Sequence, residues 1–77
     1  MNSANKYPEH IERVITEKAE LDEKLEKLIE FKYTGMFSRL PFAEAERLNT
    51  QGHIMCAYSA ILGERIRAAT PDRNQGG

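Results

Sequence analysis

Cysteine is almost missing from these 77 residues. Cys56 stands alone, so no disulfide can close within the chain. A single thiol is consistent with a reducing compartment. Histidine is scarce as well. His10 and His53 are far apart in sequence, and His53 with Cys56 three residues on finds no further ligand to complete a metal site. No metal is expected. Charge of one sign is not in excess. The formal net charge is −1, which leaves no broad basic field for a DNA or RNA polymer. No apolar run approaches the roughly 20 residues that cross a bilayer, so no membrane partner is expected. The opening MNSANKYPEH has no apolar stretch of a secretory signal, which points to an intracellular protein. A glycine-rich phosphate loop is absent. Ser38 and Ser59 have no obvious general base. A chain this small has few ways to exclude water from a reaction centre, so the expectation is a non-enzyme that needs no cofactor.

What the chain does have is two apolar stripes. The first runs Ile11, Val14, Lys18, Leu21, Leu25, Leu28. The second runs Ala45, Leu48, Gly52, Met55, Ser59, Leu62, Ile66, Ala69. Steps of three and four keep one helix face toward a partner. Pro8 suits a helix start, and Glu9 and Glu12 follow where the helix dipole favours negative charge. Pairs of opposite charge four apart, Glu9–Arg13, Glu20–Lys24 and Glu23–Lys27, support the same helix. Tyr33-Thr34-Gly35 breaks it, with Gly35 as a left-handed stop. Met36, Phe37 and Leu40 form an apolar connection with one short helical turn, and Pro41 restarts a helix. Gly52 and Gly63 fall inside that helix, at a cost of about 1 kcal/mol each relative to Ala. Small residues on the inward stripe, Gly52 and Ser59, let the helices approach closely.

The expected architecture is all-α: an antiparallel two-helix hairpin over 7–69, with helices at about 8–32 and 41–69 joined by a connection at 33–40. Residues 1–6 read as a flexible N-terminus and 70–77 as a disordered tail. Chains of this length bury a small core and are marginal alone. Without disulfide or metal, assembly into a compact homo-oligomer is the remaining route to stability.

The antiparallel arrangement brings the start of the first helix beside the end of the second. Tyr7, His10 and Arg13 are therefore expected near Arg65 and Arg67. Guanidinium groups grip phosphate and stack on bases, and aromatic rings stack too. Such a cluster suits a small phosphorylated ligand that carries bases. The plainer explanation is that Arg65 and Arg67 complement a helix dipole and Tyr7 staples a helix start. Lys18 sits at an inward position, where it pairs with an acid across an interface, sets register or snorkels to the rim. Lys24 and Lys27 lie on the charged face, solvated or bordering a neighbour's pocket. A helical module that binds a partner protein fits the stripes equally well.

The order and spacing of three segments carry a family resemblance. They are HIERVITEKAELDEKLEKLIEF (His10 to Phe31), FSRLP (Phe37 to Pro41) and EAERLNTQGHIMCAYSAILGERI (Glu44 to Ile66). Together they resemble phage anti-CBASS proteins, which sequester the cyclic oligonucleotide signals of bacterial defence. Related helical hairpins occur in anti-Thoeris sponges. The resemblance covers about residues 7 to 67. It implies a homohexamer in the host bacterial cytoplasm. It implies pockets between protomers for cyclic dinucleotides such as cGAMP, and separate pockets near a three-fold axis for cyclic trinucleotides such as cyclic tri-AMP. The messenger is held rather than degraded, so the host effector stays off. Lys24 matches the lysine of the dinucleotide pocket. The stacking aromatic corresponds to Tyr7, with His10 or Glu9 at the nearest ungapped position. Arg65, within LGERI, matches a basic residue of the second pocket.

Overall fold

The computed structural model describes residues 7–69. The expected flexible N-terminus and tail lie outside the described residues. Three helices follow in order: α1 (Glu9–Lys32), α2 (Gly35–Ser38) and α3 (Phe42–Ala69). The long helices α1 and α3 pack along their length as a hairpin, and α2 packs against α1 in the connection.

The proline positions are corrected by one residue. Pro8 has φ −57° and ψ 156°, an extended ψ that places it before the first helical turn. Its carbonyl accepts from the N–H groups of Ile11 at 2.9 Å and Glu12 at 3.0 Å. Pro41 does the same for Glu44 and Ala45, each at 3.0 Å. Two of the expected ion pairs on α1 form, Arg13–Glu9 at 3.6 Å and Lys27–Glu23 at 3.9 Å. The third, Glu20–Lys24, does not close within 4.0 Å. These solvent-facing pairs contribute only tenths of a kcal/mol, about 0.3–0.5 each.

The connection departs from expectation. No described glycine has positive φ, so Gly35 is not a left-handed stop. α1 instead tightens as it ends: Tyr33 N–H reaches Glu30 O at 3.1 Å and Thr34 N–H reaches Phe31 O at 3.0 Å. These are three-residue steps of the 3₁₀ kind. Thr34 then adopts extended backbone, and its Oγ1 accepts from Phe37 N–H at 3.4 Å. It thereby caps α2, whose first residue is Gly35. Phe31 and Phe37 meet edge to face with ring centroids 6.0 Å apart, which ties the turn to the end of α1.

The two inward stripes meet along one seam, but burial is uneven. Ile11, Val14 and Leu62 form the buried hydrophobic core, with Leu62 only 1% exposed. Tyr7, Ile15, Leu21, Ile66 and Ala69 pack around them. The core thus sits where α1 begins and α3 finishes. Towards the connection, Leu25, Leu28 and Leu48 are only half-buried. Gly52 is buried there, and a β-carbon on it would lie 3.4 Å from Leu28 Cδ2. That is ordinary van der Waals contact, so an alanine would fit at this position and close approach does not account for the glycine.

A second apolar set lies on α3, outside the seam. Ile54, Tyr58 and Ile61 are spaced four and three apart, so they form a stripe of their own, and all three are exposed. Ile54 is 63% exposed. Tyr33, Met36 and Phe42 add exposed apolar surface at the connection end. α3 is therefore apolar on two sides, and α1 covers one of them.

Leu62 is the most enclosed side chain in the core. Replacing it in Leu62→Ala is expected to destabilise the fold by about 2–5 kcal/mol, read by chemical denaturation followed by circular dichroism. A loss below about 1 kcal/mol would place the stabilising contacts elsewhere.

Candidate functional site

A three-residue polar clasp spans the seam. Lys18 occupies an inward position of α1 and its ammonium points at α3. Lys18 Nζ donates to Asp22 Oδ2 at 2.7 Å and to Ser59 Oγ at 3.1 Å. Ser59 Oγ donates to Asp22 Oδ1 in a short hydrogen bond. Asp22 is one turn on from Lys18, so both groups fall on one side of α1 and reach the same hydroxyl of α3. Ser59 is buried, and Lys18 and Asp22 are half-buried. The hydrogen bonds from Lys18 and Ser59 hold the Asp22 carboxyl below its ordinary value of 3.8. Lys18 does pair with an acid, but Asp22 lies one turn on in the same helix rather than across an interface, and the contact across the seam is to the Ser59 hydroxyl.

Two side chains flank the clasp on one face. Tyr58 OH donates to Glu17 across the helices. That hydrogen bond, with burial and the Glu17 charge, raises the Tyr58 phenol above its ordinary range, while nearby Arg65 pulls it down. Glu17 and Lys24 are seven apart on α1, and Tyr58 and Arg65 are seven apart on α3. Seven residues are about two turns, so Lys24 and Arg65 lie on the Tyr58–Glu17 face. His10, seven before Glu17, shares the same side of α1. Lys24, Arg65 and His10 are all exposed.

Arg67 is elsewhere. Two residues along a helix turn the side chain by about 200°, and Arg67 lines a trough on the other side of α3. Its companions there include Lys18, Leu25, Ser59, Ala60 and Gly63. The expected grouping of Arg65 with Arg67 is therefore split between two faces, because residues two apart do not face one way. Tyr7 is half-buried and packs against the core. Arg13 is exposed beside Glu9, with Glu12 and Thr16 around a second hollow of about 300 Å³. Among the described residues, no three His, Cys, Asp or Glu side chains gather as metal ligands. Among them also, no helix is long and apolar enough to cross a membrane.

The clasp partner Ser59 and the Glu17–Tyr58 pair escaped the sequence reading as polar contacts. Ser59 looked like a small packing residue, and its signal was the facing Lys18 at an equivalent inward position. Nothing in the spacing pointed to Glu17 meeting Tyr58.

The shape is an all-helical hairpin with a polar clasp in its seam. The Sequestin family model matches residues 8–68, and the chain belongs to the Sequestin family. No curated protein and no solved structure matches it.

The Asp22 shift sets a pH dependence. Its native carboxyl is lowered, so the clasp's stabilisation is complete above about pH 4 and is lost as pH falls through the native value. Thermal melts from pH 6 to pH 2 are expected to show a drop in the acid limb that Asp22→Asn flattens. An identical acid limb in Asp22→Asn would remove Asp22 from the linkage.

Proposed function

We propose that this chain is a phage anti-defence protein that binds and sequesters cyclic di- and trinucleotide messengers in the host bacterial cytoplasm, so that CBASS effectors are not activated. Membership of the Sequestin family over residues 8–68 is the observation that carries this reading. The family name speaks of sequestration. The sequence segments that run from His10 to Ile66 resemble cyclic-oligonucleotide sponges.

Sequestration works by stoichiometry and slow release, with no bond made or broken. A cyclic dinucleotide is a hydrated dianion. To hold it, a protein must exchange water for fixed cations and flat stacking surfaces. The exposed Lys24 and Arg65 supply cations on the Tyr58 face. Tyr7 and His10, at the start of α1, supply ring surface, and Arg13 supplies a further guanidinium group, while Arg67 faces the trough on the other side of α3. One hairpin offers walls on one side only. In this proposal neighbouring copies, six in the resembling family, complete the pockets. The apolar stripe of Ile54, Tyr58 and Ile61 supports such packing.

The same stripe favours a second reading, a module that takes up a partner helix. Calorimetry separates the two. Titration with a panel of cyclic di- and trinucleotides is expected to show saturable binding. Lys24→Ala is expected to weaken cyclic dinucleotides by about tenfold or more with the assembly intact. Arg65→Ala is expected to act mainly on cyclic trinucleotides. Absence of heat at high micromolar ligand would leave the partner-helix reading. Loss of assembly in Lys24→Ala would make that lysine structural.

A further inference from the structure

The trough beside the clasp has a volume of about 420 Å³, within the size range of small-molecule sites. It lies across α3 from Arg65, so it is separate from the face on which the sponge reading places Lys24 and Arg65. Two cations converge in it. A β-carbon on Gly63 would lie 3.2 Å from Lys18 Cε and 4.0 Å from Arg67 Nη1. Both side chains therefore run over the same patch of bare backbone. Glycine in mid-helix costs about 1 kcal/mol relative to Ala, and here its lack of a side chain leaves the space that the two cations border.

The charges in the trough are unequally satisfied. An ammonium has three donors. Lys18 gives one to Asp22 and one to Ser59, which leaves the third. Arg67 has no carboxylate within 4.0 Å among the described residues. Glu64, three residues before it, lines the same trough without closing that pair. The remaining lining is largely apolar, with Leu25, Ala60 and Cys56. A forked guanidinium beside an ammonium recognises a tetrahedral oxyanion, and an apolar wall recognises an uncharged group attached to it.

The geometry points to a second ligand site in this trough, one that takes an organic phosphate: its phosphate between Arg67 and Lys18, its apolar group against Leu25 and Ala60. Glu64 opposes the anion and tunes the affinity downward. The site needs neither the cyclic-oligonucleotide reading nor any residue of the Tyr58 face.

The test is an amide chemical-shift titration of the full chain with phenyl phosphate, inorganic phosphate and phenol. Phenyl phosphate is expected to give saturable shifts centred on Ala60, Gly63 and Arg67. Inorganic phosphate should bind the same residues more weakly, and phenol should not saturate. Arg67→Gln should weaken phenyl phosphate by about tenfold, while Glu64→Gln should tighten it a few-fold, about the size of one charge contact. Both residues are exposed, so both variants test charge without removing core. Lys24→Ala should leave this binding unchanged, which keeps the result distinct from the cyclic-nucleotide titration. No saturation with phenyl phosphate, equal affinity in Arg67→Gln, or equal shifts with phenol would overturn the site.

Discussion

Two packed helices share only one seam, and everything else about this protein follows from that constraint. A seam buries one stripe of each helix. Here it encloses Ile11, Val14 and Leu62, and leaves Leu25, Leu28 and Leu48 half-covered. Burial at about 25 cal/mol per Å² of apolar surface has to offset the conformational entropy of some sixty ordered residues. Three enclosed side chains are a thin core for that task. The second stripe of α3 is the surface on which more burial is available.

The seam is selective as well as thin. An apolar seam of even spacing allows helices to slide by a turn. The Lys18–Asp22–Ser59 clasp does not, since a one-turn shift would part the Ser59 hydroxyl from both charges of α1. Gly63 works with it by leaving room for the Lys18 stem. A small residue on α3 thus gives the Lys18 side chain its place in the trough.

Much of the fold was legible in the sequence because it rests on local periodicity. The inward stripes, the break after Lys32 and the helical turn around Met36 all follow from spacing and breakers. The connection was misjudged at Gly35, where the threonine hydroxyl before it does the capping. The outward stripe of α3 was harder to see, because Ile54, Tyr58 and Ile61 overlap in sequence with the inward set and a helix apolar on two sides loses its contrast. The candidate site was legible as residue types, less so as a place. Tyr7 packs against the core at the start of α1. Arg65 and Arg67 were grouped by nearness in sequence, although helical rotation sends them to different faces. Contacts such as Glu17 with Tyr58 depend on the depth and rotation of packing, which no single stripe encodes.

In the proposed function one hairpin is incomplete, and copies of it supply the missing walls of core and pocket. Sedimentation velocity of the full chain at micromolar concentration tests it most directly, with an Ile54→Lys, Ile61→Lys double variant run beside it. An assembly larger than one chain is expected, shifting to smaller species in the double variant. A well-folded monomer whose melting temperature does not change on dilution would contradict it.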